Sequence, residues 1–386
     1  MNFFDTLITE AKLLFSDIAI VLTIFGGVIL YSFLYPQPYK HQSVSELPVS
    51  VVDYDNTQTS RDIVFDLDAT PQIDIVRHDL SYNDARDALV ANKIKAIIVL
   101  PKHLQRDLML GKSPTIALGV DNSYFLVYGG VLEGSLKTVM THAASIKVAT
   151  LLKDGVPMVG AKDAMSSYTL KEIELFNRGN SYTQYVIPAV FVLILQQTML
   201  IGMGILGGGV HERFIAPCKG YFQHAKIWHI IVSRFILFGG IFFFHMLYYF
   251  GFSFEFFGIN YLAQSIDIIL FGIVFLSAVF GLGILLGSLF NSREIATPVI
   301  LFSSLPLVFS VGFVWPLEAI PNSIHLLSLL FPSTLAIEGF LQLNQMGAQL
   351  GSIVENSIIL LVQAIIYTIL GYYIMNRKQK DCYGKV

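Results

Sequence analysis

Few residues in this sequence have the types and spacing that catalysis requires. The motif GKS at residues 111–113 resembles the end of a phosphate-binding loop, but that loop needs a glycine five residues earlier, where Arg106 stands. His142, Asp121 and Ser135 are residue types used in hydrolytic triads, yet nothing in their spacing fixes a common geometry. No cysteines or histidines have the spacing of a common zinc site. We therefore expect no enzyme, and no metal or cofactor on this chain.

Polar side chains within the apolar stretches are the second group that could do chemistry. A charge at the centre of a bilayer costs about 2.5–3.5 kcal/mol, so such residues tend to mark ion or substrate pathways. Arg234, Asp267 and Glu294 lie near predicted span ends, where a charged side chain can reach the interface. His245 stands among aromatic residues, so packing is favoured over a proton relay. The other members of the group are Gln196, Gln197 and Gln363.

Composition indicates a membrane protein with one water-exposed part. Of the 386 residues, 54% are hydrophobic and only 14% are charged, whereas soluble domains carry about a quarter charged residues. By count, residues 36–183 hold 15 of the 25 Lys and Arg and 17 of the 28 Asp and Glu. The net charge of −3 gives no reason to expect nucleic acid as a partner. The sequence thus predicts a soluble domain inserted between membrane segments.

The membrane segments are predicted from uncharged apolar runs long enough to cross ~30 Å of hydrocarbon. Residues 1–17 carry an amphipathic stripe typical of a cytoplasmic interfacial helix, with Glu10 on the polar face. Residues 18–35 form transmembrane helix 1, which Pro36 and Pro38 end. Residues 184–376 form a second membrane region with five spans, at 185–206, 227–252, 266–290, 296–314 and 353–375.

Residues 315–352 are apolar but too often interrupted to span cleanly. Trp315 opens this region, and Pro316, Pro321 and Pro332 break it into short pieces. Non-helical backbone at membrane depth has to be buried in protein or to face water. We therefore predict short interfacial or re-entrant helices here, and we take these four residues as a candidate translocation or portal region.

The soluble insert has the pattern of alternating strands and helices. Short β-branched runs at 48–53, 73–77, 94–100 and 115–121 alternate with helical stretches, and Ser81 is placed to cap one helix. Such alternation predicts a small, partly parallel sheet covered by helices. The predicted fold class is an α-helical polytopic membrane protein of about six transmembrane helices with an inserted extracytoplasmic α/β domain at residues 36–183.

The distribution of basic residues predicts the orientation. Lys and Arg occur in the loop 207–226, in the turn 291–295 and in the tail 377–386, and neither occurs in 253–265 or 315–352. Short loops rich in Lys and Arg stay in the cytoplasm. Both termini are therefore predicted inside and the soluble insert outside. Cys218 and Cys382, the only cysteines, then lie on the reducing side, where free thiols are expected.

Several stretches resemble the type-2 ATP-binding-cassette (ABC) permeases, in the subgroup with a large extracytoplasmic domain between the first and second spans. The resemblance covers nearly the whole chain and is most specific in the insert. The stretches are VSVVDYDNTQTSRDIVFDLDATPQIDI (49–75), DARDALVANKIKAIIVLPKHLQRDLMLGKSPTIALGVDNS (84–123), LFNRGNSYTQYVIPAV (175–190), the pair Glu212-Arg213, and Phe331-Pro332.

This resemblance implies the membrane permease subunit of an ATP-driven exporter in a bacterial inner membrane. Its cargo would be an amphipathic or lipophilic compound. ATP and Mg²⁺ would bind a separate cytoplasmic nucleotide-binding ATPase subunit. A second permease chain, identical or related, would complete the transporter among membrane lipids, and a periplasmic adaptor protein is left open. Residues 207–226 would be the coupling loop, with Glu212 and Arg213 as the coupling residues.

The sequence departs from the family pattern at two places. Phe214-Ile215-Ala216-Pro217 stands where the family usually has a Glu and a Gly-Thr, and Arg178 replaces the usual proline after Asn177. These departures affect the choice of partner and the details of coupling. Two other functions stay open from the residues. One is a membrane-anchored binding or assembly protein that displays the α/β domain without transport, and the other is an ion-coupled carrier.

Overall fold

The computed structural model describes residues 1–37, 45–121, 125–163, 176, 182–315 and 317–383. The chain divides into two compact units. The first combines residues 1–40 with 174–386, and the second comprises residues 41–173. The first is called the membrane unit below and the second the α/β unit.

The membrane unit begins with two helices that meet at a sharp bend. Helix α1 (Phe3–Ser16) is capped by Asn2, whose side chain accepts a hydrogen bond from the Asp5 backbone N–H. Helix α2 (Ile18–Leu34) leaves α1 at an angle of 78°. Asp17 lies at the bend in an extended conformation and caps α2 by accepting from Ala19 N at 3.1 Å.

The α/β unit follows the alternating order that its sequence predicts. Its elements are β1 (Leu47–Asp53), α3 (Gln58–Asp68), β2 (Ile73–His78), α4 (Tyr82–Val90), β3 (Ala96–Leu100), α5 (Leu104–Met109), β4 (Ala117–Val120), α6 (Phe125–Lys153) and α7 (Met158–Asp163). The Ser81 cap is confirmed, because its hydroxyl accepts a hydrogen bond from the Asp84 backbone N–H at 3.3 Å.

The sheet of this unit has the order β2-β1-β3-β4, with β1 parallel to both neighbours and β4 antiparallel to β3. Successive residues of the central strand face opposite sides of the sheet. Val51 packs with α3, α5 and α6, whereas Val52 packs with α4. The prediction of a partly parallel sheet covered by helices is confirmed.

The rest of the membrane unit is helical in the parts that the structure describes. Among the described residues, five helices are long and apolar enough to cross a membrane, and the number rises to seven if the bent pair α1–α2 and the bent pair Asn322–Ser328 with Pro332–Met346 each count as one span. The helices are α8 (Thr183–Ile215), α9 (Tyr221–His224), α10 (Ile227–Phe256), α11 (Ser265–Leu289), α12 (Arg293–Ser310), α13 (Asn322–Ser328), α14 (Pro332–Met346) and α15 (Leu350–Cys382).

Helix α8 occupies the centre of the membrane unit. Of the residues in the most apolar part of α8, 94% are buried inside the protein, compared with 22% of those in the most apolar part of α15. Close approach explains its glycines, since a Cβ at Gly207 would lie 2.3 Å from the carbonyl oxygen of Gly287 on α11. The prediction that a loop begins at residue 207 is wrong, because α8 continues to Ile215. The glycine run there serves helix packing and does not end the helix.

The region 315–352 contains two short helices joined by a tight turn. Helices α13 and α14 are bent relative to each other by 92°. Pro332 occupies the first turn of α14, where a missing N–H costs nothing. Gly347 ends α14 in the left-handed conformation that a helix C-terminus often requires.

Candidate functional site

A buried ion pair joins the first helix to the second long span. Glu10 of α1 and Arg234 of α10 are 0% and 4% exposed. Arg234 donates from Nε to Glu10 Oε2 at 3.0 Å and from Nη2 to Glu10 Oε1 at 3.1 Å, so both carboxylate oxygens are bound. The Tyr221 hydroxyl donates to Glu10 Oε1 at 2.7 Å. Burial, and then the nearby Glu10 charge, raise the pKa of Tyr221, which keeps the hydroxyl protonated as a donor.

The positions of both charged residues correct the sequence-based expectation. Glu10 was placed on the water-facing side of α1, and Arg234 was expected to reach the interface. In the structure, Glu10 belongs to the buried face of α1 with Thr6 and Leu14, at the four-residue spacing that aligns side chains on a helix. The two charges can be buried together because each neutralises the other.

A second group of charges surrounds the bend between α1 and α2. Arg293 Nη2 lies 2.9 Å from Asp17 Oδ1, and Arg213 Nη2 lies 3.8 Å from Asp17 Oδ2. Glu212 Oε1 accepts from the backbone N–H of Arg293 at 3.1 Å, which caps the N-terminus of α12. The residues predicted for coupling, Glu212 and Arg213, thus meet Asp17 and Arg293, which the sequence reasoning did not single out.

Glu212 and Arg213 lie on a widened turn at the end of α8. Residues His211–Ile215 form π-helical turns, a distortion that often accompanies functional sites. Both charged side chains are exposed there. Each of the two side chains therefore contacts another residue of this chain and also remains accessible to a partner protein.

The end of α15 contacts the end of α8 and the segment 216–226 that follows it. Lys378 Nζ lies 3.2 Å from His211 Nδ1 and donates to Asn291 Oδ1 at 3.1 Å. Gln379 Nε2 donates to the carbonyl oxygen of Ala225 at 3.0 Å. Residues from α8, from the turn before α12 and from the segment 216–226 are thus held together by the end of α15.

The two cysteines lie in this same region and form a disulfide. Cys218, three residues past the end of α8, is bonded to Cys382 at the end of α15. The expectation of two free thiols is therefore wrong for this structure. The sequence carried no signal for the pairing, because 164 residues separate the two positions.

We call this assembly the charged end of the membrane unit. It comprises α1, the end of α8, the segment 216–226, the start of α10, the turn before α12 and the end of α15. It brings together the basic stretches that the sequence analysis placed on one side. Its fixed charges are Glu10, Asp17, Glu212, Arg213, Arg234, Arg293 and Lys378.

Polar side chains hold the turn between α13 and α14 in the interior of the membrane unit. Gln196, near the middle of α8, accepts from the backbone N–H of Ser333 at 2.7 Å. Gln363 Nε2 of α15 donates to the carbonyl oxygen of Leu329 at 2.7 Å. Among the described residues, Gln196 Nε2, Ser333 Oγ and Gln363 Oε1 are buried without a protein partner. Such groups are suited to hold water or a polar group of a ligand.

The structure describes three of the four residues predicted for a portal, and their surroundings differ. Pro332 is buried at the start of α14, next to the Gln196 contact. Trp315 is 55% exposed, and Pro321 precedes α13 on the surface. Pro316 lies outside the described residues. The sequence missed Gln363 as a contact of this turn, although it had been noted as a polar residue in an apolar run.

The other polar residues of the apolar stretches have simpler surroundings. Asp267 and Glu294 lie in the first turns of α11 and α12, near the helix ends as expected. His245 packs edge-on against Phe25 and Phe242, in agreement with a packing role. In the α/β unit, the GKS motif follows helix α5 and borders a cavity of about 530 Å³.

The long apolar helices define a multi-pass membrane protein. A family model described as "ABC-2 family transporter protein" matches residues 18–373, which is most of the chain. The chain therefore belongs to the ABC-2 transporter family, whose members are the membrane subunits of ABC transporters. No curated protein matches it.

Proposed function

We propose that this chain is the permease subunit of an ATP-driven exporter that moves an amphipathic or lipophilic compound out of the cytoplasm or the inner leaflet. A separate cytoplasmic ATPase subunit binds ATP and Mg²⁺, and a second permease chain completes the transporter. The family match gives the class of transporter subunit. The direction of transport, the class of cargo and the coupling site are added here.

The observation that carries the proposal is the connectivity of the charged end. Arg213 and Arg293 both approach Asp17, so the end of α8 and the start of α12 meet at the bend between α1 and α2. The pair of Glu10 and Arg234 then joins α1 to α10. When a partner moves the exposed end of α8, the movement is therefore transmitted to α1, α2, α10 and α12.

The same end supports the proposed orientation. Its described residues include short stretches rich in Lys and Arg, and such stretches are retained in the cytoplasm. With this end inside, both termini are cytoplasmic, the α/β unit is extracytoplasmic, and the protein is a multi-pass protein of a bacterial inner membrane.

The turn between α13 and α14 supports a path for the cargo. Its buried polar atoms lie near the middle of the central helix α8, whereas the surrounding helices are apolar. An amphipathic compound needs both a polar and an apolar surface along its path. Trp315, Pro316, Pro321 and Pro332 remain the candidate portal residues, with Gln196 and Gln363 added to them.

The first experiment is to purify the full chain in mild detergent and to assay ATP hydrolysis in the material that comes with it. We expect a stoichiometric nucleotide-binding subunit whose ATP hydrolysis responds to the permease. Replacing both coupling residues (E212A with R213A) should lower that response by about fivefold or more, the lower range of typical coupling energies.

The matched control is Glu255→Ala, which removes an exposed carboxylate at the end of α10 far from the charged end along the helix. It should leave the ATPase response unchanged. A chain that is purified alone and inactive in several detergents would contradict the proposal and favour the protein that displays its α/β unit without transport.

A further inference from the structure

The only two cysteines of the 386-residue chain are bonded to each other. Their Cα atoms are 5.3 Å apart, within the range that a disulfide requires. Cys218 follows the end of α8, where its backbone N–H donates to the carbonyl oxygen of Ile215 at 3.0 Å. Cys382 lies at the end of α15 and is 3% exposed.

The location of the two cysteines determines whether they are expected as thiols or as a disulfide. Both cysteines belong to the charged end, which the proposed function places in the cytoplasm, so this inference rests on that orientation. Cytoplasmic thiols are kept reduced, and a disulfide there is usually transient, either catalytic or redox-sensing. A permanent structural bond is therefore not expected at this position.

We propose that Cys218 and Cys382 form a reversible oxidation site that switches coupling off. The bond ties the segment after α8 directly to the last helix. Arg213 lies only five residues before Cys218, so the exposed turn that would meet the ATPase subunit loses its freedom to move relative to α15. In the dithiol state the two segments are held by non-covalent contacts, among them those of Lys378 and Gln379.

The oxidant is a peroxide, and the step balances in two stages. Cys218, which is more exposed than Cys382, attacks one peroxide oxygen as the thiolate. The O–O bond breaks, hydroxide leaves and takes up the proton that the thiol released, forming one water, and a sulfenic acid remains on Cys218. The Cys382 thiol then displaces a second water from that sulfur and forms the disulfide. A dithiol reductant reverses the bond by exchange.

The test uses the full chain in nanodiscs with its ATPase subunit. Free thiols are trapped by alkylation and counted by mass spectrometry after treatment with dithiothreitol or hydrogen peroxide. In the wild type, we expect two alkylated cysteines after reduction and none after oxidation. ATP hydrolysis should fall by about fivefold or more on oxidation and recover fully with dithiothreitol.

Serine variants supply the controls. Cys218→Ser and Cys382→Ser differ from the wild type by one atom each, and both should be insensitive to peroxide in the ATPase assay. A bond that forms while ATP hydrolysis stays constant would overturn the switch and leave the proposed function intact. Alkylation in growing cells that finds the pair always oxidised would also overturn it, since that result describes a structural bond.

The two proposals fail in different ways. A reduced wild-type chain that recruits no ATPase subunit would refute the proposed function and the switching role together. Bond formation would still be measured by alkylation in that case, so the redox chemistry of the pair would be decided separately from transport.

Discussion

The ion pair of Glu10 and Arg234 gives the sharpest quantitative prediction. Glu10→Ala removes the acceptor of two hydrogen bonds from Arg234 and one from Tyr221, and leaves the guanidinium buried without a counter-charge. Removing one partner of a buried pair costs about 3–5 kcal/mol. We expect a loss of this size in the free energy of unfolding, measured by equilibrium unfolding in mixed micelles.

Three further variants separate the ion pair from other effects. Tyr221→Phe loses a single hydrogen bond to a charged group, which is worth about 1.5–3 kcal/mol. The double variant E10L with R234M replaces the pair by apolar side chains and should recover most of the loss, because no charge is left buried. Asp5→Ala, at an exposed position on the same helix, should change stability by less than about 1 kcal/mol.

Two outcomes would refute a buried ion pair at these positions. If Glu10→Ala lost no more stability than Asp5→Ala, the pair could not be buried as described. If the double variant were as unstable as the single one, the loss would come from altered packing of α1 and not from an unpaired charge.

Two more predictions concern glycine packing and pH. Gly207→Ala should destabilise the membrane unit by about 1–3 kcal/mol, the cost of overpacking, because its Cβ would meet backbone atoms of Gly287. Gly209→Ala has open space around its Cβ and should be tolerated, and thermal unfolding of both variants checks this pair. In the α/β unit, the hydrogen bond from Arg77 holds the pKa of Asp79 below its ordinary value of 3.8. The stabilisation by Asp79 is therefore present above pH 3.8 and is lost as the pH falls through the lowered pKa. Hydrogen exchange of β1 amides should show that Asp79→Asn weakens protection at neutral pH and that this difference disappears in acid.

Local patterns were sufficient for the elements of the fold. Long uncharged runs identified the five spans because a membrane helix is selected by length and apolarity alone. Strands and helices of the α/β unit were predicted from β-branched runs, from proline stops and from the Ser81 cap. The end of α8 was missed because apolarity marks only the part of a helix that lies in lipid, and α8 continues nine residues beyond the predicted end at residue 206, to Ile215.

The candidate site was predictable only in part. Glu212 and Arg213 were marked by resemblance to a family, and their contacts with Asp17 and Arg293 join residues far apart in sequence. The Glu10 and Arg234 partners are separated by 224 positions. A single sequence carries no local signal for contacts of this kind.

That long separation has a consequence for how the protein is made. When α1 and α2 leave the ribosome, Arg234, the residue that neutralises Glu10 in the described structure, has not been synthesised. Helix α1 therefore cannot take up its buried position until α10 has been inserted, after the whole α/β unit has crossed the membrane under the proposed orientation. Docking of the first helix is a late step of biogenesis, and it marks a chain whose membrane unit has been assembled at least as far as α10.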